Sequence, residues 1–114
     1  VIDSTQPLPE KDFKVVVEEN RIKAVGIAFF ESAYAAQPLY KLNADTWQKW
    51  LESIISFCDN GYTSCYAENA FNAISDTCKI VPLDINGLFC TEIDTKEDWN
   101  VVRKWLEEND AESN

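Results

Sequence analysis

The chain has 114 residues, enough for one domain or part of one and too few for two. An apolar fraction of 46%, with six Phe, four Tyr and four Trp, supplies a core and argues against disorder away from the ends. Twenty acidic against ten basic side chains give a formal charge of −10, which makes nucleic acid and anionic membrane surfaces poor partners.

Val1-Ile2-Asp3 reads as the middle or end of a buried strand, and with no Met in the sequence the chain reads as a fragment. Ser4 to Asp12, carrying Pro7 and Pro9, is a loop. Phe13 to Glu18 is β-branched, and Arg21 to Phe30 resumes the alternation after Glu19-Asn20, which predicts a β-hairpin with Gly26 marking a bulge or a close backbone approach. Tyr34 to Leu42 is apolar but contains Pro38, which predicts an edge or irregular strand.

Asn43 then caps a helix whose apolar face is Trp47, Trp50, Leu51, Ile54, Ile55 and Cys58, ending at Asp59-Asn60-Gly61. Tyr66 to Ile74 predicts a shorter helix with Tyr66, Ala70, Phe71 and Ile74 on one face. Ile80 to Ile85, Asn86-Gly87 and Leu88 to Ile93 predict a second hairpin about a primed turn. Thr95 to Asp98 is a capping-box pattern, followed by a helix with Trp99, Val102, Trp105 and Leu106 on its buried face. The series defines an α+β domain or part of a mixed α/β fold.

Cys58, Cys65, Cys78 and Cys90 lack a C-x-x-C pair and the chain has no His, which argues against a structural zinc site. Without a visible signal peptide, they read as reduced, mostly buried thiols of a cytoplasmic protein. No run reaches the ~18 apolar residues of a membrane span. The lack of His also excludes Ser-His-Asp and Cys-His chemistry.

Chemistry concentrates in Thr91-Glu92-Ile93-Asp94-Thr95. Strand alternation puts Glu92 and Asp94 on one face, with Ile93 toward the core. Such a pair is either a solvated acidic edge or an oxygen-ligand site for Mg2+. Tyr34, Tyr40, Tyr66 and the Trp47/Trp50 pair either pack or contribute to a cage for a quaternary ammonium; the helical spacing assigns Trp47 and Trp50 to the core. Lys41, Lys79 and Arg103 read as surface charges.

The run Ile80 to Gly87 followed by Glu92-Ile93-Asp94-Thr95-Lys96-Glu97-Asp98 is similar to the closing motif of bacterial nucleotidylyltransferases, a hairpin, then E-I-D-T-x-x-D, then a helix. Tyr66-Ala67-Glu68-Asn69-Ala70-Phe71-Asn72 resembles the tyrosine-glutamate helix of the phosphocholine cytidylyltransferase branch, and the order of elements matches from Val1 to Leu106. The resemblance implies a Rossmann-like mixed sheet and transfer of a nucleotidyl group, CMP above all, from a nucleoside triphosphate to a small phosphorylated acceptor: phosphocholine, a phosphonate or a sugar 1-phosphate. It implies Mg2+ as cofactor, with Asp94 and then Glu92 as metal ligands, and Tyr66, Glu68 and Tyr34 as acceptor-binding residues.

The glycine-rich phosphate loop of that family has no match in this chain. Residues 1–109 are therefore expected to form only the acceptor and metal side of such an enzyme, inactive alone, with 110–114 a frayed tail. The other reading is a noncatalytic acidic interaction or dimerisation module of the same fold, forming a homodimer through an unpaired strand edge at Val1 to Asp3.

Overall fold

The computed structural model describes residues 1–37 and 39–110. It is a mixed α/β structure: a four-stranded antiparallel sheet and three helices. The strands are β1 (Ile2–Asp3), β2 (Lys14–Glu18), β3 (Arg21–Gly26) and β4 (Ala33–Ala36), and the helices are α1 (Ala44–Asp59), α2 (Ala67–Asn72) and α3 (Lys96–Asp110). The sheet order is β1-β4-β2-β3.

The first hairpin forms where the sequence puts it. Glu18 pairs with Arg21 across Glu19 and Asn20, both at positive φ (51° and 60°), the primed geometry that matches the twist of two paired strands. The irregularity lies between Val16 and Val17 rather than at Gly26. What comes close to Gly26 is a side chain rather than another backbone, since a Cβ there would stand 2.8 Å from the Phe29 ring.

Three strand expectations are corrected. The predicted edge strand is central: β4 pairs with β2 on one side and β1 on the other, because its ladder ends at Ala36, before the proline that prompted the edge assignment. Pro38 itself lies outside the described residues. The second hairpin keeps its turn, with Asn86 and Gly87 at positive φ and Leu88 N–H donating to the Ile85 carbonyl, but its arms do not pair. The first arm is used elsewhere: Ile2 N–H donates to Leu83 O, Ile85 N–H to Ile2 O, and Ile22 N–H to Ile80 O. The two Ile2 bonds, with a parallel bridge between Ile2 and Asp84, occupy the β1 edge that strand exchange would need, whereas the Ile22 bond lies on β3. At the opposite edge, the Asn72 side chain donates to Val25 O and accepts from Val25 N–H, both at 2.8 Å.

The core joins Ile2, Val15, Ile22 and Val25 of the sheet to Trp50, Ala70, Phe71 and Cys78. Helix α1 starts where Asn43 Oδ1 accepts from Thr46 N–H at 2.8 Å. It docks on α2 through two polar ties, Trp50 Nε1 to Ala67 O and Ser53 Oγ to Ala70 O.

Its apolar face is only half covered. Trp50 is buried, whereas Trp47, Leu51 and Ile55 are exposed, so the core assignment fails for Trp47. Helix α3 opens on the expected capping box: Thr95 Oγ1 accepts from Asp98 N–H, and Asp98 accepts from Thr95 N–H and Asp94 N–H. It has no buried residue, contrary to the expected packing of Trp99, Val102, Trp105 and Leu106; its aromatic contact is Trp105 stacked on Phe89 at 4.6 Å. Ile93 is exposed rather than in the core. Asp110 belongs to α3, while residues 111–114 of the expected tail lie outside the described residues. All four cysteines are free, but only Cys78 is buried.

Candidate functional site

Four of the five residues singled out for chemistry meet in one cleft of about 320 Å3, within the size range of small-molecule sites. Tyr66 and Glu68 come from the start of α2, Glu92 and Asp94 from the segment ahead of α3, and the opposite wall is Asp12, Phe13, Ala36, Gln37 and Tyr40. Tyr34, in β4 opposite Val15, does not line it. A second hollow of about 340 Å3 shares Asp12, Glu92 and Asp94 and continues past Thr95 to Asp98.

Each wall is held by short-range chemistry. Tyr66 precedes α2, its N–H donating to Asn69 Oδ1, and its ring meets Phe13 edge to face at 4.9 Å. Glu68 accepts from the Tyr40 hydroxyl at 3.1 Å, and Tyr40 stands edge-on to Trp50 at 5.5 Å. Burial, then the Glu68 charge and its hydrogen bond, push the Tyr40 hydroxyl up, so it stays a donor throughout the physiological range.

Asp12 is placed from beneath by Lys14, whose side chain is fully buried. Its ammonium donates to Pro9 O and to Asp12 O, and it lies 4.5 Å from the Phe30 ring centroid. Gln37 is buried at the cleft floor and donates to Gln6 Oε1 at 3.4 Å.

The electrostatics of the cleft are one-sided. Partial desolvation first, then the charge and hydrogen bond of Asp94, then Asp12 and Asp98, hold Glu92 above the ordinary carboxylate range. Asp98 is held down by the Asp94 and Thr95 backbone amides and the Thr95 hydroxyl. Lys11 is the cationic residue lining the cleft, set against Asp12, Glu68, Glu92 and Asp94. Such a lining attracts cations, and it takes a phosphate only if a bound cation reverses the local field.

Among the described residues no group of three or more Cys, Asp or Glu stands ready to enclose a metal ion. The Glu92 and Asp94 pair nonetheless fits Mg2+ in chemistry, since that ion takes one or two carboxylates and leaves the remaining positions to water and substrate phosphate. The like-charge repulsion that adds to burial in raising Glu92 is what a cation would relieve.

Sequence reasoning passed over Asp12, Phe13 and Lys11 as loop and strand residues. Their role depends on where β2 starts relative to the end of β4, a long-range pairing with no local signature. No family model, curated protein or solved structure matches the chain. None of the described helices is long and apolar enough to cross a membrane.

Proposed function

We propose that this chain is the acceptor- and metal-binding side of a nucleotidylyltransferase, completed by a nucleotide-gripping half with which it shares a Rossmann-like sheet. The observation that carries the reading is the convergence of Tyr66 and Glu68 with Glu92 and Asp94, 24 or more residues away in sequence, on one cleft. The acceptor is a small phosphorylated molecule with a cationic end, of which phosphocholine and an aminoalkylphosphonate are the models. Rings of Phe13, Tyr40 and Tyr66 beside the Glu68 carboxylate suit that end, because ring faces and carboxylates both attract a cation. Glu92 and Asp94 would hold Mg2+, whose contribution is to neutralise phosphate charge as the acceptor oxygen meets the nucleotide.

The test is intrinsic fluorescence, since Trp50 abuts Tyr40. Phosphocholine and 2-aminoethylphosphonate, titrated with Mg2+ present, give saturable changes, and glucose 1-phosphate binds more weakly. Glu68→Gln weakens the cationic ligands by about tenfold, the loss of one charged partner. Absence of saturable binding by any of the three overturns the reading. A noncatalytic interaction module is the second reading, favoured by the uncovered apolar face of α1.

A further inference from the structure

Helix α1 is more apolar than its own fold requires. Projected at 100° per residue, Phe57, Trp50, Ile54, Trp47, Cys58, Leu51 and Ile55 span an arc of roughly 160°, where a helix with one face on a core needs about 100°. The core uses one flank, with Trp50 at 5% exposure. The other flank is left in solvent, with Trp47 55%, Leu51 42% and Ile55 51% exposed. Beside it an apolar groove of about 450 Å3 runs between Tyr40, Leu42, Trp47, Ile54 and Ala67.

We propose that this flank of α1 is a self-association surface and that its occupant is α1 of a second copy, packed antiparallel about a two-fold axis near Glu52-Ser53. The pattern is self-complementary. With that axis Trp47 of one copy meets Cys58 of the other and Leu51 meets Ile54, two pairs each made twice by the two-fold, while Ile55, whose partner in this register is the buried Trp50, flanks them at the rim. The two helices overlap from Thr46 to Asp59, and their dipoles oppose.

The area sets the strength. Taking roughly 200 Å2 for a large side chain, Trp47, Leu51, Ile55 and the 40%-exposed Tyr40 offer about 400 Å2 of apolar surface per copy. At the ~65% apolar share of homodimer interfaces, that corresponds to roughly 1,200 Å2 in total, the lower edge of specific pairs. Association is therefore weak and concentration-dependent. Each copy carries −10, so screening strengthens it and added salt favours the pair, the reverse of an association driven by ion pairs.

Sedimentation equilibrium of the intact chain from roughly 5 to 500 µM brackets the micromolar affinity such an interface supports. The expected result is a mass rising toward twice the monomer, at lower concentration in ~0.5 M than in ~0.05 M salt. Leu51→Glu, which puts a charge in the centre of the contact, weakens it at least tenfold. Leu106→Glu, on an exposed position of α3, leaves it unchanged. Circular dichroism confirms that each variant is folded, and Trp47→Gln gives a second, milder probe of the same surface. A monomer throughout the range overturns the proposal, as does a dimer that Leu51→Glu and Trp47→Gln leave intact.

Discussion

Glu92 and Asn72 show opposite uses of a polar side chain. Glu92 is an acid whose folded pKa lies above its unfolded value, so the native state holds its proton more tightly and loses stability as pH rises through that range. Glu92→Gln removes this penalty. Thermal melts should show the variant melting higher than wild type at pH 7, with the difference vanishing below about pH 4, where the unfolded carboxyl is also protonated. Mg2+ should raise the wild-type midpoint and leave that of Glu92→Gln nearly still; equal responses would remove Glu92 from the ligand set. Asn72, by contrast, satisfies both backbone groups of buried Val25. Asn72→Ala should lower stability by about 2 kcal/mol in urea unfolding, because two strand-edge groups lose their partner. The Asn72 role was invisible in the sequence, where it reads as an interior residue of a helix over Tyr66 to Ile74; only the packing of α2 against β3 turns its amide into a substitute strand.

At the scale of elements, what the sequence revealed is what depends on residues within about four positions of one another. The Glu19-Asn20 turn, the Asn43 cap and the Thr95 and Asp98 box each form from local bonds, and each stands where the pattern put it. What depended on a distant partner was misread. The Ile80 to Ile85 arm carries a correct turn signal but meets β1 before it can meet Leu88 to Ile93, and the spacing that placed Trp47 with Trp50 cannot say how much of an arc a neighbour covers. The same division runs through the cleft: Tyr66, Glu68, Glu92 and Asp94 were legible in short motifs, and Asp12 was not. Helix α3 isolates the local contribution, since it has a good cap and no buried residue. Thr95→Ala should therefore lose about 1 kcal/mol of α3 stability, seen as faster amide exchange across Trp99 to Arg103. The global urea midpoint should hardly move; a large global loss would mean that α3 packs more tightly than its exposure indicates.

The described chain extends 52 × 31 × 29 Å with a radius of gyration of 16.3 Å, above the ~13 Å of a compact 100-residue domain, as suits a chain whose last described helix has no buried residue. Its cleft therefore depends on how the segment carrying Glu92 and Asp94 is tied to the sheet, and two carboxylates reinforce the backbone bonds that Ile2 and Ile22 make to the preceding arm. Asp3 accepts from Thr5 and, across the chain, from Gly87 N–H; Asp84 accepts from Ser4 N–H and Asn86 N–H. The Thr5 hydroxyl foremost holds Asp3 below the ordinary carboxylate value, and the Ser4 contact does the same for Asp84. With folded pKa values depressed, both contribute stability that is fully present above the unfolded pKa of about 4 and is lost as pH falls through the folded values. With no His to titrate in between, stability should change little from pH 5 to 7 apart from the opposing Glu92 trend, then fall below about pH 4. Asp3→Asn should be less stable than wild type at pH 7, and the two should converge in acid. Because the Gly87 bond carries the position of the following segment, the same variant should also weaken the Mg2+ response at Glu92, though Asp3 lies outside the cleft. A variant that loses stability yet keeps the full Mg2+ response would show that the Glu92 segment is held by α3 and the Thr95 box instead.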